Sequence, residues 1–183
     1  MEIAGKRIIR TIELILNSAD VQSGTYLNTP TKTDIYTEVL EKLFSYFQPY
    51  AREKKLQFVM IKNTVNTIAT VDAYSVEQVF DNLIDNAIKF TDSGKIVIET
   101  NTNQEENLIV SIEDTGVGIS DEYMNSLFSF FSQEDQSYTR SYEGNGLGLA
   151  LTKRLCDLNK IKLDLETQKG IGTKFKLTFP NDK

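Results

Sequence analysis

Apolar positions recur along this chain with two periods, and the changes between them mark its elements. Ile8, Ile12, Ile15 and Ala19 fall at i, i+4, i+7 and i+11, a helical stripe that Ile9 and Leu16 widen. Lys6, Arg10 and Glu13 lie opposite, so the first twenty residues read as an amphipathic helix. Such a stripe must cover something. No matching antiparallel helix follows in sequence, which leaves a partner outside this chain or a second copy of it. Gln22-Ser23-Gly24-Thr25 ends the helix, and Pro30-Thr31-Lys32-Thr33 continues a linker. The expected organisation is an N-terminal helix over 1–25, a linker over 26–33 and a main domain over 34–183.

Asp34 is placed to cap a second helix through about Lys54, with Ile35, Val39, Leu43, Phe47 and Tyr50 on one side. Residues 56–61 and 67–71 read as paired strands, with 62–66 turning between them. Residues 76–90 have helical period. Residues 95–102 and 107–113 are strands joined by the polar turn Asn103-Gln104-Glu105-Glu106. A short helix is expected over 121–127. Residues 129–145 are polar and aromatic without a period, as in a long functional loop. A helix over 147–158 and strands over 162–167 and 173–179 close the chain. Helices mixed with hairpins predict an α/β (α+β) two-layer sandwich: a mixed sheet covered by helices on one face, with an extra N-terminal helix.

Composition narrows the chemistry. A net charge of −6 with scattered lysines and arginines offers no nucleic-acid surface. No apolar run reaches membrane-spanning length and no secretory signal is visible, so no membrane contact and a cytoplasmic setting are expected. Cys156 is the only cysteine and reads as a small buried hydrophobe. There is no histidine, which removes every Ser-His or Cys-His pair. Catalysis would rest on carboxylates, amides, lysine and a metal ion.

Four segments could carry that chemistry. Glu143-Gly144-Asn145-Gly146-Leu147-Gly148-Leu149-Ala150 puts glycines at alternate positions before a helix. A glycine loop feeding a helix N-terminus is an anion site, since backbone N–H groups and the helix dipole both face the ligand; a plain glycine turn has the same spelling. In the third helix Asn82, Asn86 and Lys89 fall at i, i+4 and i+7 on one face. Amide oxygens and an ammonium suit magnesium and phosphate, though such a row is also an ordinary solvated face, and Asp85 beside it fits that plainer role. At a strand end, Asp114-Thr115-Gly116-Val117-Gly118-Ile119 combines a fixed acceptor with a sharp turn able to lie beneath a flat ligand, or is simply a turn. Gly170-Ile171-Gly172-Thr173 either brings Thr173 to the base end of the same pocket or closes a tight hairpin.

Taken in chain order, residues 82–90, 114–119, 144–149 and 170–173 resemble the N, G1, G2 and G3 boxes of the ATP-binding catalytic domain of sensor histidine kinases. Phe128 and Phe131 resemble the family's F box. The resemblance covers about residues 34–181 and implies the Bergerat-type sandwich shared with gyrase, Hsp90 and MutL. It implies that Asp114 recognises the adenine amine, with Thr173 assisting and Gly116, Gly118 and Ile119 in the turn beneath. Asn86 would ligate Mg2+ with Asn82 close by, Lys89 would meet phosphate, and Phe90 would line the nucleotide. Gly144, Gly146, Leu147, Gly148 and Leu149 would surround the triphosphate. Residues 129–145 would form a lid anchored by Phe131. Asn82 replaces the glutamate that activates water in the gyrase and Hsp90 branch, which favours phosphoryl transfer over hydrolysis. Residues 6–25 resemble the second helix of the dimerisation and phosphotransfer domain. The resemblance therefore implies a homodimer through that helix, a phosphoacceptor histidine on a helix before residue 1, and a response-regulator receiver domain as partner. Leu158-Asn159-Lys160 stands where the family often has Gly-Gly, and Asn159 is expected to take the left-handed cap. Two other readings remain: a serine or threonine kinase of the anti-sigma type, and a non-catalytic regulatory module that binds partners through the N-terminal stripe.

Overall fold

The structure, a computed structural model, describes the backbone of residues 2–129 and 146–180, and side chains throughout those spans except at residues 2–11 and 13. Helix α1 (Glu2–Ser23) packs beside α5 (Gly148–Leu158), from the far end of the chain. Leu14 and Val21 make that contact with the core, whereas Ile12, Ile15 and Leu16 are 50%, 49% and 59% exposed. The helix thus has a docked face and a second apolar face in solvent.

The stretch expected as a linker contains strand β1 (Thr31–Asp34), antiparallel to β3 (Ile68–Val71) with Thr33 opposite Ala69. No apolar run announces β1; it forms because the main chain of β3 needs a hydrogen-bonding partner. Asp34 caps as expected. Its Oδ1 accepts the N–H groups of Tyr36 (3.0 Å) and Thr37 (3.2 Å), and the Thr67 hydroxyl at 2.7 Å. The helix it opens begins with a π-helical segment (Ile35–Leu40) and continues as α2 (Glu41–Glu53).

Strand β2 (Gln57–Lys62) does not pair with β3, against expectation. It runs parallel to β4 (Lys95–Thr102), with Phe58 opposite Ile96, at the edge of a five-stranded sheet ordered β2-β4-β5-β7-β6. Helix α3 (Ala73–Phe90) provides the crossover that a parallel pair requires. Burial explains the choice: Phe58 and Met60 pack on the core from the sheet edge, while Ala69 and Val71 are buried beside β1.

The other strands pair as hairpins, β4 with β5 (Leu108–Asp114) and β6 (Lys162–Gln168) with β7 (Gly172–Thr178). Helix α4 (Asp121–Met124) is shorter than the expected 121–127. Ile96, Ile98, Val110, Ile112, Phe175 and Leu177 point to the helix layer and are buried, each contributing about 1.5–3 kcal/mol. On the other face Glu113 stands opposite Lys174, and their ion pair measures 3.0 Å. One apolar face and one charged face give the two-layer sandwich the pattern predicts.

Helix α5 ends differently from expectation. Asn159 has φ −93° and ψ 5°, and Lys160, with φ 56°, is the left-handed residue. Asn159 is held by its side chain instead. Its Oδ1 accepts the Asp72 N–H at 2.8 Å, and its Nδ2 donates to Ser75 Oγ at 2.7 Å and Leu155 O at 2.9 Å. Stranding a buried amide costs more than the roughly 1–2 kcal/mol of a left-handed lysine.

Candidate functional site

The last residue of β5 begins the site. Asp114 is 9% exposed, and its carboxylate accepts the N–H groups of Gly116 (2.8 Å) and Thr173. Burial pushes its pKa up to about 6; the two N–H groups pull downward and the neighbouring Glu113 charge adds to the rise. Two donors do not fill the four lone-pair positions of a carboxylate. A buried acceptor with spare capacity suits a ligand N–H.

Gly116 lets the chain pass close beneath that carboxylate. A Cβ there would lie 2.4 Å from Phe90 O, 2.8 Å from Asp114 Oδ1 and 2.9 Å from Thr91 Oγ1. Gly118 is as constrained, with φ 62° and only 2.0 Å between a built Cβ and Gln168 O. The loop is pinned along its length. Val117 N–H donates to Phe90 O (3.1 Å), Gly170 N–H to Val117 O (2.8 Å), and Ile119 N–H to Thr167 Oγ1 (2.9 Å). Thr167 Oγ1 also sits 3.0 Å from Thr173 Oγ1, so one hydroxyl joins the Asp114 loop to the β6–β7 hairpin. Lys169-Gly170-Ile171 is that hairpin's turn, Gly172 opens β7, and Thr173 faces Asp114 in register, so the segment closes a hairpin and sets Thr173 beside Asp114. Sequence reasoning misses Thr167; its place opposite Thr173 in a hairpin is the signal that could have found it.

The second part of the site lies along α3. Asn82 is 3% exposed, and its Nδ2 has no hydrogen-bond partner among the described residues. A Cβ on Gly148 would lie 3.6 Å from Asn82 Oδ1, so the N-terminus of α5 abuts this edge. Gly146 (φ 64°) and Leu147 lead into α5. Leu147 is buried and Leu149 packs on the core, so what this turn offers a ligand is main-chain N–H. Asn86 and Lys89 are half-buried further along α3, and Lys89 Nζ lies 4.8 Å over the Phe90 ring. Phe128 packs against the core. Phe131, Gly144 and residues 130–145 of the expected lid lie outside the described residues.

The residues fit a polyphosphate better than a metal alone. Among the described residues no group of three His, Cys, Asp or Glu could hold an ion. Asn86 supplies a hard amide oxygen, which suits a magnesium ion that arrives with phosphate and keeps several waters. The orphaned Asn82 amide and the α5 N-terminus are donors for anionic oxygen.

Residues 71–183 match the family described as histidine kinase-, DNA gyrase B-, and HSP90-like ATPase. Autoinducer 2 sensor kinase/phosphatase LuxQ from Vibrio parahaemolyticus is 30% identical over 184 residues, covering 97% of this chain and 21% of that protein. Sensor protein GacS from Pseudomonas syringae is 30% identical over 182 residues, covering 96% and 20%. The chain therefore spans about a fifth of the length of these relatives. Among solved structures, full-length ShkA in complex with AMPPNP superposes with a TM-score of 0.81 at 22% identity, over 97% of this chain and 36% of that one. The nucleotide-free catalytic domain of histidine kinase ThkA gives 0.70 at 23% identity, over 83% and 95%. These likenesses show the fold.

Proposed function

The chain belongs to the histidine kinase-, DNA gyrase B- and HSP90-like ATPase family, and on that premise we propose that it is the catalytic domain of a sensor histidine kinase, binding magnesium-ATP and giving up the γ-phosphoryl group to a histidine carried elsewhere. The observation that carries the reading is the incompletely satisfied Asp114 carboxylate above its glycine cradle, where Gly116 lies against the end of the helix that carries Asn82, Asn86 and Lys89, and Gly148 at the start of α5 lies against Asn82. Asp114 accepts the exocyclic amine of adenine, with Thr173 beside it. Lys89 and the main-chain N–H groups of Gly148 and Leu149 hold phosphate. Asn86 would hold a magnesium ion, which when bound would supply positive charge to offset that of the phosphates. The acceptor imidazole nitrogen forms the new P–N bond, ADP departs, and the imidazole N–H proton passes to solvent. Asn82 is no base for water, which favours transfer over hydrolysis.

The receiver domain of a response regulator is the proposed onward acceptor, and the cytoplasm the proposed setting. The solvent-facing Ile12, Ile15 and Leu16 support a helical partner for α1, a second copy of the chain included. The test is calorimetric titration of a non-hydrolysable ATP analogue with and without magnesium. Saturable binding strengthened by magnesium is expected; a folded sample that takes up no nucleotide sinks the reading.

A further inference from the structure

The last turn of α3 launches Lys89 and Phe90, and its terminal carbonyls have no helical N–H ahead of them. Their partners come from two other segments. Lys54 Nζ donates to Ile88 O at 2.8 Å, Lys89 O at 3.0 Å and Thr91 O at 2.9 Å. The carbonyl between them, Phe90 O, takes the Val117 N–H of the Asp114 loop. Lys54 reaches this point because it is the C-cap of α2 (φ −80°, ψ 0°) and Lys55, with φ 58°, turns the chain away toward β2. Three ammonium protons meet three main-chain oxygens, and Asp92 stands at 3.8 Å as a neighbouring charge.

We propose that Lys54 is a positioning residue for the nucleotide, acting through Lys89: it locks the α3 terminus against the Asp114 loop and offsets the negative end of the helix where phosphate must approach. This rests on the nucleotide reading above. Without the ammonium, three carbonyls converge on one point without a donor, and the turn that carries Lys89 frays. Lys54 spends its three protons on those carbonyls, so its effect on affinity depends on the presence of Lys89.

The test is a double-mutant cycle on the dissociation constant of the magnesium-bound ATP analogue, with thermal melting alongside. Lys54→Met should weaken binding about tenfold, and Lys54→Arg, which keeps charge and donors, should stay within about threefold of the parent. In Lys89→Met the further change Lys54→Met should cost no more than about twofold, because the two act in series. Full additivity, or unchanged affinity in Lys54→Met despite a lower melting temperature, would make Lys54 a cap for the fold alone and overturn the proposal. Should Lys54→Met fail to fold, Lys54→Gln keeps two donors without the charge and carries the same cycle. Asp114→Asn separates the two failures. If the parent chain does not bind, the nucleotide reading falls. If it binds and Asp114→Asn weakens it while Lys54→Met does not, only the role of Lys54 falls.

Discussion

Asp72 and Asp114 are both buried aspartates at the ends of secondary elements, and burial leaves them in opposite states. Asp72 is 4% exposed and caps α3. Burial pushes its pKa up, but four donors outweigh that: the N–H groups of Ser75 and Thr29, both at 2.9 Å, the Thr29 hydroxyl at 3.1 Å and Tyr26 OH at 3.4 Å. Its carboxyl ends below the usual range. Tyr26 is driven the other way, to about 12, by burial and by the Asp72 charge, so it stays a donor. Asp114 is more heavily desolvated by the atoms around it and has only two N–H donors, and rises to about 6. The contrast separates two uses of one side chain. A structural aspartate has its oxygens filled by its own fold; Asp114 is left short of donors, and the proposed adenine contact would supply the remainder.

The largest break comes from Asp114→Asn. Loss of a charge-assisted hydrogen bond should weaken the ATP analogue about 100-fold in calorimetry. Stability should move the other way. A folded pKa of about 6 against about 3.9 unfolded penalises the ionised form at pH 7 by about 3 kcal/mol, which the amide removes. A variant that both binds poorly and melts lower would contradict this account of Asp114. Asp72→Ala should do the reverse. Chemical denaturation should show about 2–3 kcal/mol of lost stability, with nucleotide affinity within about twofold of the parent.

Asn159→Ala sharpens the same side of the comparison, since it removes the amide that ties the end of α5 to the Asp72 turn. About 1–2 kcal/mol of stability should go, again with little change in affinity. The smallest effect is in pH. For Asp72, stabilisation is present above the unfolded value near 3.9 and lost as pH falls through its lower folded value. For Asp114, the proton-linked stabilisation is present below about 4 and lost as pH rises through about 6. Nucleotide affinity, which needs the ionised carboxylate, should therefore drop about fivefold from pH 6 to pH 5 in the parent. The ratio of parent to Asp114→Asn affinity should shrink over that interval, and a constant ratio would place the titration elsewhere.

Much of the fold is legible in the amino-acid order. The three long helices, the β4–β5 hairpin and the Asp34 cap follow from apolar period and capping chemistry, which are local rules. The site segments are legible as well, because Asp114, Gly116 and the Asn82–Lys89 row are short strings whose spacing alone places them on a turn or a helix face. Thr167 and Lys54 are not, since each acts on residues tens of positions away and has no pattern around it.

The amino-acid sequence by itself determined where the chain is helical, where it is extended, and which side chains share a face, since each depends on neighbours within a few residues. Only the tertiary structure decided that β2 lies beside β4 and β3 beside β1, because strand alternation satisfies any partner and burial across the whole sheet selects one. The tertiary structure also turned Asn159 inward and let Lys160 take the left-handed turn. It likewise made Asp72 a filled cap and Asp114 an open acceptor: the number of donors that converge on a carboxylate is a property of the folded neighbourhood, not of the residue.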